Sequence, residues 1–120
     1  MNDAMVMVDS RGDIMLWSRT AQAFFGYAAV DVIGQNVELL VPPEYRPQHQ
    51  VGHGRAMSGG ERHLDGASTH LPVRHADGTV VRHPARFNHV FTANGELPAA
   101  IAVFGPAAPD AAPWTPVTQL

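Results

Sequence analysis

The chain has no cysteine, and all of its eight basic residues are arginine, with no lysine. Without thiols there can be no disulfide, no thiolate zinc site, no iron–sulfur cluster and no covalent c-type haem attachment. A covalent flavin photoadduct, which needs a cysteine, is excluded as well. The missing cysteine fits a cytoplasmic protein. No apolar run approaches the roughly 20 residues that span a bilayer, and the opening residues do not read as a secretory signal, so no membrane association is expected. Charge is equally sparse. The formal net charge is −3 and no basic block occurs, so a nucleic-acid surface is not expected. Lysine's absence beside abundant alanine, proline and glycine reads as genomic composition bias. The seven histidines could share that origin, yet all of them lie between positions 49 and 89.

At 120 residues, 45% of them apolar, the chain is one domain with material for its own core. "MVMVD" (5–9) is β-like, "DSRGD" is a turn, and Ile14–Trp17 is a second strand, so the two form a hairpin. Ser18 is placed to cap a helix whose Ala21, Phe24 and Phe25 share a face and which Gly26 ends. "AAVDVIGQ" is another short helix stopped at Gly34, and "VELLVPP" is an apolar turn closed by two prolines. From His63 the pattern turns to strands: "HLDGASTHLPVR", then "TVVRHPARFNHVF", then "LPAAIAVFG", joined by the turns "HADG" and "ANGE". Residues 106–120 hold four prolines and no periodicity and read as a Pro/Ala-rich tail or linker. A lone hairpin is not stable, so the first two strands must join the last three. The expected fold class is α+β: a five-stranded antiparallel sheet with short helices on one face and a small-ligand pocket between them.

Between these halves lies "RPQHQVGHGRAM", residues 46–57. Pro47 can start a helix, because its fixed φ suits the first turn and its missing N–H is not needed there. His49 and His53 fall one helical turn apart, with Arg46 and Arg55 beside them. A neutral imidazole is a good ligand for haem iron, and an Arg and a His suit carboxylates such as haem propionates. Gly52 and Gly54 would let a flat ring approach this helix. Ala67, Ala85 and Ala100, with Phe87 and Ile101, could line an apolar cavity.

"AMVMVDSRGDIMLWSRTAQAFFGYAAVDVIGQNVELLVP" resembles the first half of a PAS domain, and "RHADGTVV" with the strands after it resembles the second half. The likeness covers about residues 3–105, so residues 1–105 are taken as a PAS sensor domain. It is nearest to the haem-binding oxygen sensors of the FixL and Dos type. There an Arg-x-x-His pattern places the iron-binding His, which the resemblance carries to His49. It likewise implies that Arg55 and His63 stand near the propionates of a b-type haem. The family's distal Met and Arg positions fall on Ala67 and Thr69, so neither distal group is present. The resemblance thus implies a sensor of O2, CO, NO or redox state, as a homodimer, signalling to an output domain or partner protein.

Plainer readings stand beside this one. His49 can be an ordinary helix residue of a haem-free PAS domain that binds another small apolar ligand or works by dimerisation. A zinc site at His49 and His53 lacks an evident third ligand. His70, His75, His83 and His89 read as strand or turn surface, with His83 the one of the four best placed to point inward. Trp17, Phe24 and Phe25 read as core. Nothing resembles a nucleophile, base and orienting group in combination, so no catalysis is expected.

Overall fold

Alternating burial builds the first hairpin. In β1 (Ala4–Val8), Ala4, Val6 and Val8 are buried while Met5 is exposed. The Asp9 carboxylate accepts the backbone N–H groups of Arg11 and Asp13 at 2.9 and 3.0 Å, which turns the chain into β2 (Ile14–Trp17). The structure, a computed structural model, describes residues 3–47, 68–90 and 99–107. Ser18 then does two jobs. Its hydroxyl accepts the Ala21 N–H that opens α1 (Arg19–Phe25), and it also accepts the Met5 N–H, which fastens the helix start to β1. Gly26 ends α1 with φ at 87°, a left-handed conformation that glycine adopts without strain. A Cβ at Gly26 would also press on Ala76 at 3.2 Å.

A short helix α2 (Ala29–Val32) follows. The expected apolar turn at 37–43 resolves into two 3-10 helices, Val37–Leu40 and Pro43–Tyr45. The Asn36 side chain caps the first by accepting the Glu38 N–H, and proline opens the second. Three longer strands complete the sheet: β3 (Ser68–Arg74), β4 (Val80–Val90) and β5 (Ala99–Phe104). The order across the sheet is β2-β1-β5-β4-β3, and every pairing is antiparallel. The first and last strands are therefore neighbours, as the expected union of hairpin and strands requires. Pro72 sits on the edge strand β3, where a missing N–H can be tolerated. The "HADG" turn joins β3 to β4 as expected, with the Gly78 N–H on the His75 carbonyl. The "ANGE" turn, the stretch 48–67 and the tail from 108 lie outside the described residues.

The inner face of the sheet meets α1 and α2 in one core. Phe25 is its centre, fully buried, with ring centroids 5.2 Å from Phe104 and 5.8 Å from Trp17. Trp17 keeps its indole N–H satisfied on the Tyr27 carbonyl at 3.0 Å. Removing the Phe25 ring would leave a cavity that these aromatic neighbours cannot fill by small movements. Phe25→Ala is expected to cost about 3–5 kcal/mol, a large part of a small domain's stability. The urea midpoint checks this, and a change under about 1 kcal/mol would place the centre of the core elsewhere.

Candidate functional site

The inner wall opposite the helices is made by the central strands. Antiparallel register puts Thr69 opposite Ala85, Ala85 opposite Phe104, and Phe104 opposite Ala4. The next inward row holds Phe87, Ala102, Val6 and Trp17. Ala85 is buried, and Phe87, Ala100 and Ala102 are partly buried against the core. Ala85 and Phe87 thus face inward between exposed Arg86 and Asn88, as their alternation implied. Ile101 does not. It pairs with Met7 and Asn88, on the face away from the helices, because one residue of shift along a strand reverses the face. The small side chains on this wall make it thin, which suits a ligand lying against the sheet.

After the second 3-10 helix the chain enters the segment carrying "RPQH". Arg46 adopts α-helical dihedrals, and its Nε donates to the carbonyls of Val41 and Glu38 at 3.0 and 3.3 Å. These bonds clamp the chain to the end of the first 3-10 helix, three residues before His49. His49, Arg55, His63 and Ala67 lie outside the described residues, as does His53, and Thr69 is placed by backbone register alone. Among the described residues no three His, Asp or Glu side chains gather where they could hold a metal ion.

One polar cluster was missed at the level of sequence. His83 is no surface residue: it points inward and is 1% exposed, and His75 is not a plain turn residue either. Their Nε2 atoms are 2.9 Å apart. The His83 Nδ1 lies 2.9 Å from the Gly105 carbonyl, which can only accept, so Nδ1 carries the hydrogen. Phe24 stacks on the His83 ring and Phe25 meets it edge-on. The signal was in the strand parity: His75 shares the phase of buried Val73, and His83 that of Ala85. Burial holds the His83 imidazole below its usual pKa, despite the bond to Gly105. Burial also lowers His75, with Asp77 partly opposing it. Gly105 is pinned as well. Its N–H donates to the Pro84 carbonyl at 2.8 Å, and a Cβ there would fall 2.8 Å from the Pro84 ring.

The family model described as PAS fold matches residues 1–105. Over 77 residues, 64% of this chain, the sequence is 34% identical to the sensor protein FixL of Bradyrhizobium diazoefficiens. Over 78 residues it is 30% identical to the oxygen sensor protein DosP of Escherichia coli, covering 63% of this chain. These matches span 15% of FixL and 10% of DosP, a small part of each. Among solved structures, a PAS domain from Colwellia psychrerythraea superposes with a TM-score of 0.75 at 20% identity, covering 92% of this chain and 90% of that one. The PAS domain of the quorum-sensing receptor RpfR from Cronobacter turicensis, in complex with BDSF, gives 0.65 at 19% identity, covering 86% and 92%.

The two lowered imidazoles set a pH dependence. A group whose folded pKa lies below its unfolded value binds fewer protons when folded, so acid favours unfolding. The contribution is complete above about pH 6.5, the unfolded imidazole value, and is lost as pH falls through the lowered folded values. The urea midpoint should therefore be lower at about pH 5 than at about pH 7.5. Equal midpoints would contradict the burial of the pair.

Proposed function

Because this chain belongs to the PAS family, we propose that it is a haem-binding sensor domain. It detects a diatomic gas (O2, CO or NO) or redox state, and relays this to an output domain or partner protein. The observation that carries the reading is the joint spacing of "RPQH", Arg55 and His63, in a chain similar to two proteins named as sensors. His49 would be the one protein ligand to a b-type haem, and Arg55 and His63 would meet its propionates with charge-assisted hydrogen bonds. When bound, the haem supplies an iron centre for a diatomic ligand. The chain's own part is binding and polarity. The clamp of Arg46 on the Val41 and Glu38 carbonyls fixes the backbone three residues before His49 in the sequence. The thin wall at Ala85, Ala100 and Ala102 fits a flat apolar ring, and Phe87 offers an aromatic face beside it. At the distal positions, Ala67 and Thr69 bring one hydroxyl and no cation or thioether. That polarity favours CO and NO as much as O2.

The face of the sheet away from the helices supports a homodimer. Met5 and Leu16 are 46% and 55% exposed, and Met7, Ile101 and Val103 share their face by register. Such a contiguous apolar surface is suited to a second copy of this chain. Leu16→Glu would put a carboxylate in that contact while leaving the core untouched. Sedimentation should show self-association in the parent chain and a weaker dimer in this variant. A parent chain that stays monomeric at high concentration would remove the dimer.

Protein expressed with an adequate haem supply should show a Soret band. His49→Ala should abolish stoichiometric haem binding, whereas His53→Ala should leave it largely intact. Arg55→Ala should weaken haem retention by about 1–3 kcal/mol, the range of a charge-assisted contact. A full, unshifted Soret band in His49→Ala would reassign the ligand. If the parent chain never takes up haem, the domain is a haem-free PAS module for another small apolar ligand or for dimerisation.

A further inference from the structure

The two buried-end histidines have no part in the haem reading, and their geometry points to a task of its own. With nearest nitrogens 2.9 Å apart and ring centroids 5.1 Å apart, the rings lie end to end. This is the geometry of one shared hydrogen, not of two lone pairs converging on a metal ion. Because His83 Nδ1 donates to Gly105, the neutral His83 ring has its lone pair on Nε2. His75 must then present an N–H at its own Nε2. A first extra proton fits on His75 Nδ1 and leaves every bond in place. A second would go to His83 Nε2, and two N–H groups would face each other across the same gap.

The two rings are not equally free to move. His83 is held by Phe24 and Phe25 of α1, by the Gly105 carbonyl beyond β5, and stands opposite Leu71 of β3. Protonation only strengthens its bond to that carbonyl. His75 is only partly buried at the start of the turn, where the carboxylate of Asp77 acts on it. The Thr79 hydroxyl donates to Asp77 and holds that carboxyl below the usual range, so Asp77 stays ionised through mild acid. The other charged neighbours along the chain are Arg74 and Arg82, and the Tyr27 hydroxyl donates to the Arg74 carbonyl. Next to His75, the Ala76 N–H donates to the Phe25 carbonyl at 2.8 Å and docks the turn on the end of α1.

We propose that His75 and His83 form a proton-operated latch on the β3–β4 turn: closed while they share one hydrogen, and open when both rings are charged and His75 swings out toward Asp77 and water. Opening loosens the Ala76–Phe25 bond while Gly105 stays held, so mild acid changes the surface at the end of α1 and leaves the sheet intact.

Hydrogen exchange and imidazole nitrogen NMR on the full chain test this. From about pH 8 to about pH 5, the protection factor of the Ala76 amide should fall about tenfold more than those of the β1–β5 ladder. His75→Gln is the decisive variant. Its amide can donate to neutral His83 and, turned over, accept from the charged ring. It should keep Ala76 protection level across this range and raise the pH at which His83 titrates. If Ala76 follows the ladder in the parent chain, or loses protection equally in His75→Gln, there is no latch. A His83 pKa that stays put in His75→Gln would also overturn it.

Discussion

The antiparallel ladder between β1 and β5 is the constraint on which the rest of the domain depends. It pairs Ala4 with Phe104 and runs to Val8 with Ala100, so the opening strand and the closing strand lie side by side in mid-sheet. The entropy of closing so long a loop grows only slowly with its length, and burial of the inward side chains offsets it. Without this ladder, β1 and β2 would be a lone hairpin of marginal stability. The helices would lose their seat too, because Ser18 starts α1 from a hydroxyl bonded to the Met5 N–H of β1.

The side chains brought together by that ladder divide the interior into two kinds of material. Around Phe25, aromatic rings fill the space tightly: Trp17, Phe24 and Phe104, with His75 and His83 joining the same cluster. Along β4 and β5, by contrast, Ala85, Ala100 and Ala102 contribute little volume. Rigidity and capacity are thus segregated. The aromatic end holds the helices in register, and the alanine wall adds little bulk to the interior. The buried histidine fits this division, since its ring packs as an aromatic while both nitrogens find partners.

Much of the architecture was legible because short-range chemistry specified it. Ser18 and Gly26 bracket α1 through a cap and a left-handed glycine, Asp9 turns the first hairpin, and the alternation at 85–88 gives the inward face. The 3-10 character at Val37–Leu40 was not legible, since it depends on the Asn36 cap, which an apolar run does not announce. Ile101 was read inward from its apolarity, whereas pairing with Met7 turns it outward. His75 was read as surface because turn residues usually are. Its partner lies eight positions away on the other arm of the β3–β4 hairpin, a relation that parity allows and register settles. For the candidate haem site, Ala85 and Phe87 stand on the inward face, and Arg46 was found to have an anchoring task that its place in "RPQH" did not suggest. His49, Arg55, His63 and Ala67 fall outside the described residues.

The pairing of Ala4 with Phe104 has a mechanical consequence. Both residues lie at the same end of one antiparallel ladder, so a pull applied before Ala4 and after Phe104 opens that ladder like a zipper. Its hydrogen bonds then carry the load one after another, where a shearing geometry would load them all at once. A domain tethered in this way yields to weak tension from its flanks, and it yields first at the joint that unites its two halves.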